Sequence, residues 1–185
     1  MEKEALKNIF DFLEKNENKK NKNKATLKWK LFFNESLTKE ELNVSGNLHL
    51  ANLKITSLPE GLKVGGSLDL TNCINLKSLP EGLKVGGSLY LKNCSNLTSL
   101  PEGLEVRGAL SLSNCTSLTS LPEGLKVGGS LELQYCKNLT SLPKGLKVGW
   151  ELKISGTKLK KYTDDELKEM IKPGFIKGEI YTEDE

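Results

Sequence analysis

Cys73, Cys94, Cys115 and Cys136 stand 21 residues apart, and a set of four thiols invites a metal or redox reading. The regular spacing argues against a metal. If successive units stack as neighbouring strands, the first and last sulfurs lie about 15 Å apart, whereas zinc needs every sulfur about 2.3 Å from one point. Disulfides between neighbours are within reach, but MEKEALKNIF has no basic-then-apolar secretory order to place the chain in an oxidising compartment. The expected state is a column of buried, reduced thiols in a cytoplasmic protein.

His49 is the only histidine, so acid–base or nucleophilic chemistry would have to be built around it. Asp69 is its expected neighbour on the next strand. A triad needs an ordered nucleophile as well, and Ser111 falls two strands further on. A solvated surface pair is therefore expected, and no catalytic residue is assigned. GLKVGGS tempts a phosphate-loop reading, but it lacks G-x-x-x-x-G-K-[ST] and recurs as a turn in several units. No cofactor or metal is expected.

The element that positions all of these residues is a repeat. LPEGLKVGGSL begins at Leu58, Leu79 and Leu121, with variants at Leu100 and Leu142, each 21 residues after the last. The pair L-x-L recurs as Leu48/Leu50, Leu68/Leu70, Leu89/Leu91, Leu110/Leu112, Leu131/Leu133 and Leu152/Ile154. Alternation of this kind is the two-residue period of a strand. Pro80 and Gly82 would break a helix in the rest of the unit, which must turn back in short extended or 3₁₀ pieces. In the unit Leu68–Gly87 the inward positions are Leu68, Leu70, Cys73, Leu76, Leu79, Leu83 and Val85. One unit cannot enclose these side chains; a stack can, at about 1.5–3 kcal/mol per fully buried leucine. Gly65/Gly66, Gly86/Gly87 and Gly128/Gly129 supply the tight turn before each strand.

The pattern L-x-L-x-x-C-x-x-L-x-x-L-P resembles the leucine-rich repeat family. Its short length and its LP element look like the repeats of bacterial LPX-type effectors, and its cysteine is similar to that in plant intracellular immune receptors. The resemblance implies a curved solenoid, or horseshoe, with a concave parallel β-sheet of about six strands on which ligands usually bind. No ubiquitin-ligase domain follows the repeats in this chain, in contrast to the effectors, and the nucleotide-binding module of the plant receptors is lacking.

Three regions are expected: a helical N-terminal cap with a Lys/Asn-rich linker over 1–43, leucine-rich repeats over 44–162, and a small C-terminal cap over 163–185. The first unit places Leu53 where the cysteine would stand, and the last places Thr157 there, as atypical terminal units do. Leu6, Ile9, Phe10 and Leu13 have helical spacing. Thr38–Glu41 and Thr163–Glu166 match capping boxes, the second opening a helix through Ile171 before Pro173-Gly174 stops it. FIKGEIY then reads as a small strand or hairpin.

Net charge is +3, with 26 lysines against one arginine, and no apolar run reaches the length of a membrane span. Charge alone therefore names no nucleic-acid or membrane partner. Lys15–Lys30 holds seven lysines and one acid, Glu17, and offers a nucleic-acid or anionic-surface contact as the alternative function. On the turn side, Glu60, Glu81, Glu102 and Glu123 form one row and Lys63, Lys84, Lys126 and Lys147 another, and the two are expected to compensate each other.

The copies agree almost everywhere except at the outward strand positions. These are His49, Asp69, Tyr90, Ser111, Glu132 and Lys153, and one strand-step later Ala51, Thr71, Lys92, Ser113, Gln134 and Ser155. Divergence within one chain marks positions freed from packing. His49, Asp69, Tyr90, Lys92, Glu132, Gln134, Tyr135 and Lys153 are the expected partner-binding residues, in a non-enzymatic protein–protein recognition module acting as adaptor or inhibitor.

Overall fold

The computed structural model describes Lys30 and residues 37–183. The helix expected over residues 2–15 and the lysine-rich stretch, apart from Lys30, lie outside them. The described chain is a β-solenoid. Seven rungs each contribute two short strands, and the strands stack into two parallel seven-stranded sheets.

One sheet is the expected leucine sheet. It runs β2 (Leu48–His49), β4 (Leu68–Asp69), β6 (Leu89–Tyr90), β8 (Leu110–Ser111), β10 (Leu131–Glu132), β12 (Leu152–Lys153) and β14 (Ile180–Tyr181). Leucine faces leucine from rung to rung: Leu48 pairs with Leu68, then Leu89, Leu110, Leu131 and Leu152. The hydrogen-bonded ladder is longer than the strands. Leu48, Leu50 and Asn52 all donate their N–H groups to the next rung, to Ser67, Asp69 and Thr71, at 2.8 Å each.

The second sheet corrects the expectation of a single sheet of about six strands. It comprises β1 (Asn43–Val44), β3 (Lys63–Val64), β5 (Lys84–Val85), β7 (Glu105–Val106), β9 (Lys126–Val127), β11 (Lys147–Val148) and β13 (Phe175–Ile176). Its origin is the Lys-Val pair just before the glycines. Valine is buried and lysine exposed in every copy, the same period-two alternation as in the leucine strand. In a stack of identical units, any segment that is extended in one rung meets an extended copy in the next. Parallel pairing then satisfies its backbone at no cost in register.

Between the sheets lies an unbroken aliphatic core with the cysteine column inside it. The seven inward side chains named for the unit Leu68–Gly87 are all buried. So are the six L-x-L pairs.

The ends show how capping is done. Before the first rung, Thr38 and Glu41 form a reciprocal box: the Thr38 N–H donates to Glu41 Oε2 at 2.8 Å, and the Glu41 N–H donates to Thr38 Oγ1 at 3.3 Å. Lys30 Nζ reaches the same carboxylate at 2.8 Å. After the sixth rung, Thr163 and Glu166 form the second box and open α1 (Asp164–Met170), which ends at Ile171. The segment FIKGEIY is not a hairpin. Its two strands enter different sheets, Phe175–Ile176 pairing with Lys147–Val148 and Ile180–Tyr181 with Leu152–Lys153, both parallel. It is a seventh rung in which the seven-residue helix is the insertion that hid the repeat.

Candidate functional site

The outward face of the leucine sheet carries the varied residues in the order His49, Asp69, Tyr90, Ser111, Glu132, Lys153 and Tyr181. They share one face because each follows an inward leucine, or for Tyr181 an isoleucine, by one residue. Ser111 departs from the expectation for this row. It points outward yet is 5 % exposed, since a two-atom side chain sits between Tyr90 and Glu132 and is shaded by both. Tyr90 stands clear at 39 %.

Beyond the strands, each of the first six rungs turns through a left-handed residue. Asn52, Asn72, Asn93 and Asn114 take φ of 61–64°, a region where asparagine is enriched among non-glycine residues. Asn72 Nδ2 donates to Asn52 Oδ1 at 2.9 Å and Asn93 Nδ2 to Asn72 Oδ1 at 2.7 Å, so the turns are tied into a ladder. Tyr135 occupies the fifth place with φ 60°, and Gly156 the sixth with φ 66°. Tyr135 is thus not a strand residue but the one large side chain in a column of asparagines. Its ring lies over Gly156, where a Cβ would stand 2.4 Å from Tyr135 Cδ1.

The structure gathers four of the eight expected binding residues. Lys92, Gln134, Tyr135 and Lys153 line one depression of about 290 Å³, with Tyr181 and Glu183 closing its far side. Its low points are the short residues Ser113 and Ser155, both buried. Ser113 Oγ donates to Gln134 Oε1 at 2.9 Å, and the Lys153 ammonium lies 5.8 Å from the centroid of the Tyr181 ring. The sequence reading missed Tyr181 and Glu183 because it did not align FIKGEIY with KVGWELK. The signal was there, with Ile176 matching Val148 and Ile180 matching Leu152.

The remaining four, His49, Asp69, Tyr90 and Glu132, are on the same face outside the depression. His49 Nδ1 lies 3.7 Å from Asp69 Oδ2, an exposed imidazole beside a half-buried carboxylate. Burial pushes the Asp69 carboxyl up, but the Thr71 N–H at 3.0 Å, the Thr71 hydroxyl and His49 outweigh it and hold it below the usual range. Ser111 is a further strand beyond Tyr90, so it does not complete a triad with the pair.

Each cysteine is fully buried and unoxidised. Each thiol donates to a leucine carbonyl of the preceding rung: Cys73 to Leu50, Cys94 to Leu70 and Cys115 to Leu91 at 3.2 Å, Cys136 to Leu112 at 3.1 Å. Burial pushes all four thiols up, Cys136 to about 11 and Cys94 to about 12. At neutral pH they are neutral and poor nucleophiles. Among the described residues, no cluster of His, Cys, Asp or Glu is placed to hold a metal ion. A disulfide reagent added to native protein should therefore react slowly and then report four thiols once denaturant is present. Fast reaction without denaturant, or fewer than four thiols afterwards, would contradict the buried column.

The valine sheet also carries an ion pair. Glu105 takes the place of lysine in the middle rung and pairs with Lys126 within the lysine row itself. Among the described residues no helix is long and apolar enough to cross a membrane. No family model, curated protein or solved structure matches the chain.

Proposed function

We propose that the chain is a leucine-rich-repeat recognition protein, an adaptor or inhibitor without catalysis of its own, that binds a protein partner on the exposed face of its leucine sheet. In this reading the solenoid curves as a horseshoe, with that face on the concave side, in the cytoplasm. One observation carries it. The repeat copies agree at buried positions and differ along the outward row, where the large exceptions gather on one face. A rigid sheet presents such side chains with little ordering entropy to lose on binding.

The test is capture from extract of the native cell, comparing wild type with Tyr90→Ala and Glu132→Ala. Each truncation of an anchor is expected to cost more than about 1–2 kcal/mol of binding, at least a several-fold loss, without lowering the melting temperature. Neutralising Lys19, Lys20, Lys22 and Lys24 together tests the rival site. If that change abolishes capture while the face substitutions leave it intact, the binding site lies in the N-terminal segment. Steep weakening between low and physiological salt would point to a lysine–phosphate contact with nucleic acid.

A further inference from the structure

The depression at the C-terminal end of the leucine sheet has a chemical character of its own. Lys92 and Lys153 both line it, and among the described residues neither is in an ion pair. Glu132 lies beside Lys153 in register, yet the two do not close; Lys153 rests instead over the Tyr181 ring. Glu183 is the one acid among the described residues of the lining. Gln134 adds to the donors, because its Oε1 already accepts the Ser113 hydroxyl and its amide N–H groups remain.

The shape follows from side-chain size. Ser113 and Ser155 leave low points in the face, while the rings of Tyr135 and Tyr181 belong to the rungs on either side of Gly156. Two ammonium groups outside any ion pair among the described residues, beside the hydroxyls of Ser113 and Ser155, favour negative charge, and two phenol rings favour the flat or apolar parts of a chain carrying it. A volume of about 290 Å³ has room for one or two side chains, not for a folded element.

We infer that this depression takes the carboxylate side chains of an acidic segment of a protein partner, with Lys92 and Lys153, three rungs apart, as the two cations and Gln134 as the neutral donor. The inference rests on the leucine sheet being the partner-binding face. It adds which chemistry the partner presents and where. Lys92 and Lys153 are then recognition residues, and Tyr181 acts by holding the Lys153 ammonium over its ring.

The full chain, isotope-labelled for amide NMR, can be titrated at low salt with end-blocked hexaglutamate, hexaserine or hexalysine. Hexaglutamate should move the amide signals of Ser113, Gln134 and Ser155, and the other two peptides should not. Lys92→Gln with Lys153→Gln should weaken hexaglutamate binding about tenfold, whereas Lys63→Gln with Lys84→Gln on the valine sheet should stay within about twofold. Equal weakening by the two pairs would reduce the effect to diffuse attraction and overturn the site. So would hexalysine moving the same signals, or hexaglutamate moving none at about 10 mM. Capture that depends on Tyr90 but not on Lys92 or Lys153 would keep the binding face and remove the acidic partner. Hexaglutamate bound at the depression with capture indifferent to the whole face would do the reverse.

Discussion

Leu112→Ala should destabilise the protein by about 2–5 kcal/mol, and Ser111→Ala beside it by less than about 0.5 kcal/mol. Leu112 is wholly buried in the core, in the fourth of seven rungs, with the column of leucines above and below it. Truncation removes its apolar area and leaves a cavity that the neighbouring rungs can fill only by moving together, which the ladders on both sides resist. Its carbonyl also accepts the Cys136 thiol at 3.1 Å, so collapse around the cavity would strain that bond too. Ser111 is nearly as hidden, but for another reason. It is shaded by Tyr90 and Glu132 rather than packed, and its loss leaves backbone pairing untouched. Chemical denaturation of the two variants measures both effects. Equal destabilisation would mean that shading and packing are the same thing at this position.

That contrast marks the limit of what the sequence discloses. Period-two alternation identifies inward and outward residues, and every inward leucine and cysteine of the unit Leu68–Gly87 is where its spacing puts it. Exposure depends also on the neighbours one rung away, which is a property of the stack; hence Ser111 is outward and buried at once. The valine sheet was hidden for a similar reason. Two residues of alternation are too few to signal a strand alone, and only the repeat makes Lys63–Val64, Lys84–Val85 and their copies meet in register.

The asparagine column was legible in principle. Asn72, Asn93 and Asn114 recur at 21-residue spacing, and asparagine repeated before a cysteine is a turn signal. Tyr135, in the same column, belongs to this turn and not to the strand. The seventh rung was obscured by α1, a seven-residue insertion that shifts the period. Half of the expected binding residues nonetheless share one depression, because outward position and in-chain divergence are read from the same repeat.

The second large effect is expected at glycines that hold the rungs together. Gly86→Ala should cost about 1–3 kcal/mol, the range of an overpacked core, although the position is exposed. A Cβ there would stand 2.2 Å from the Gly65 carbonyl oxygen of the rung before. Backbone, not a flexible side chain, would have to give way. The same column answers what giving way looks like. Arg107 occupies it one rung later, and there the ladder is thinner. The pairing of β5 with β7 is reduced to Val85 with Val106, and the N–H bond that Gly86 makes to Val64 and Gly128 makes to Val106, both at 2.8 Å, has no counterpart at Arg107. A side chain in this column is thus tolerated by opening one backbone hydrogen bond, whose net worth is about 0.5–1.5 kcal/mol. Arg107→Ala keeps a Cβ where one already exists and should change stability by less than about 0.5 kcal/mol. Gly86→Ala adds a second opening next to the first, so the two disrupted rungs are neighbours and their costs should couple rather than add. Thermal and denaturant unfolding of both variants distinguish the accounts. If Gly86→Ala proves as mild as Arg107→Ala, close approach of the rungs at this column contributes nothing to their cohesion, and the glycines serve only the turn.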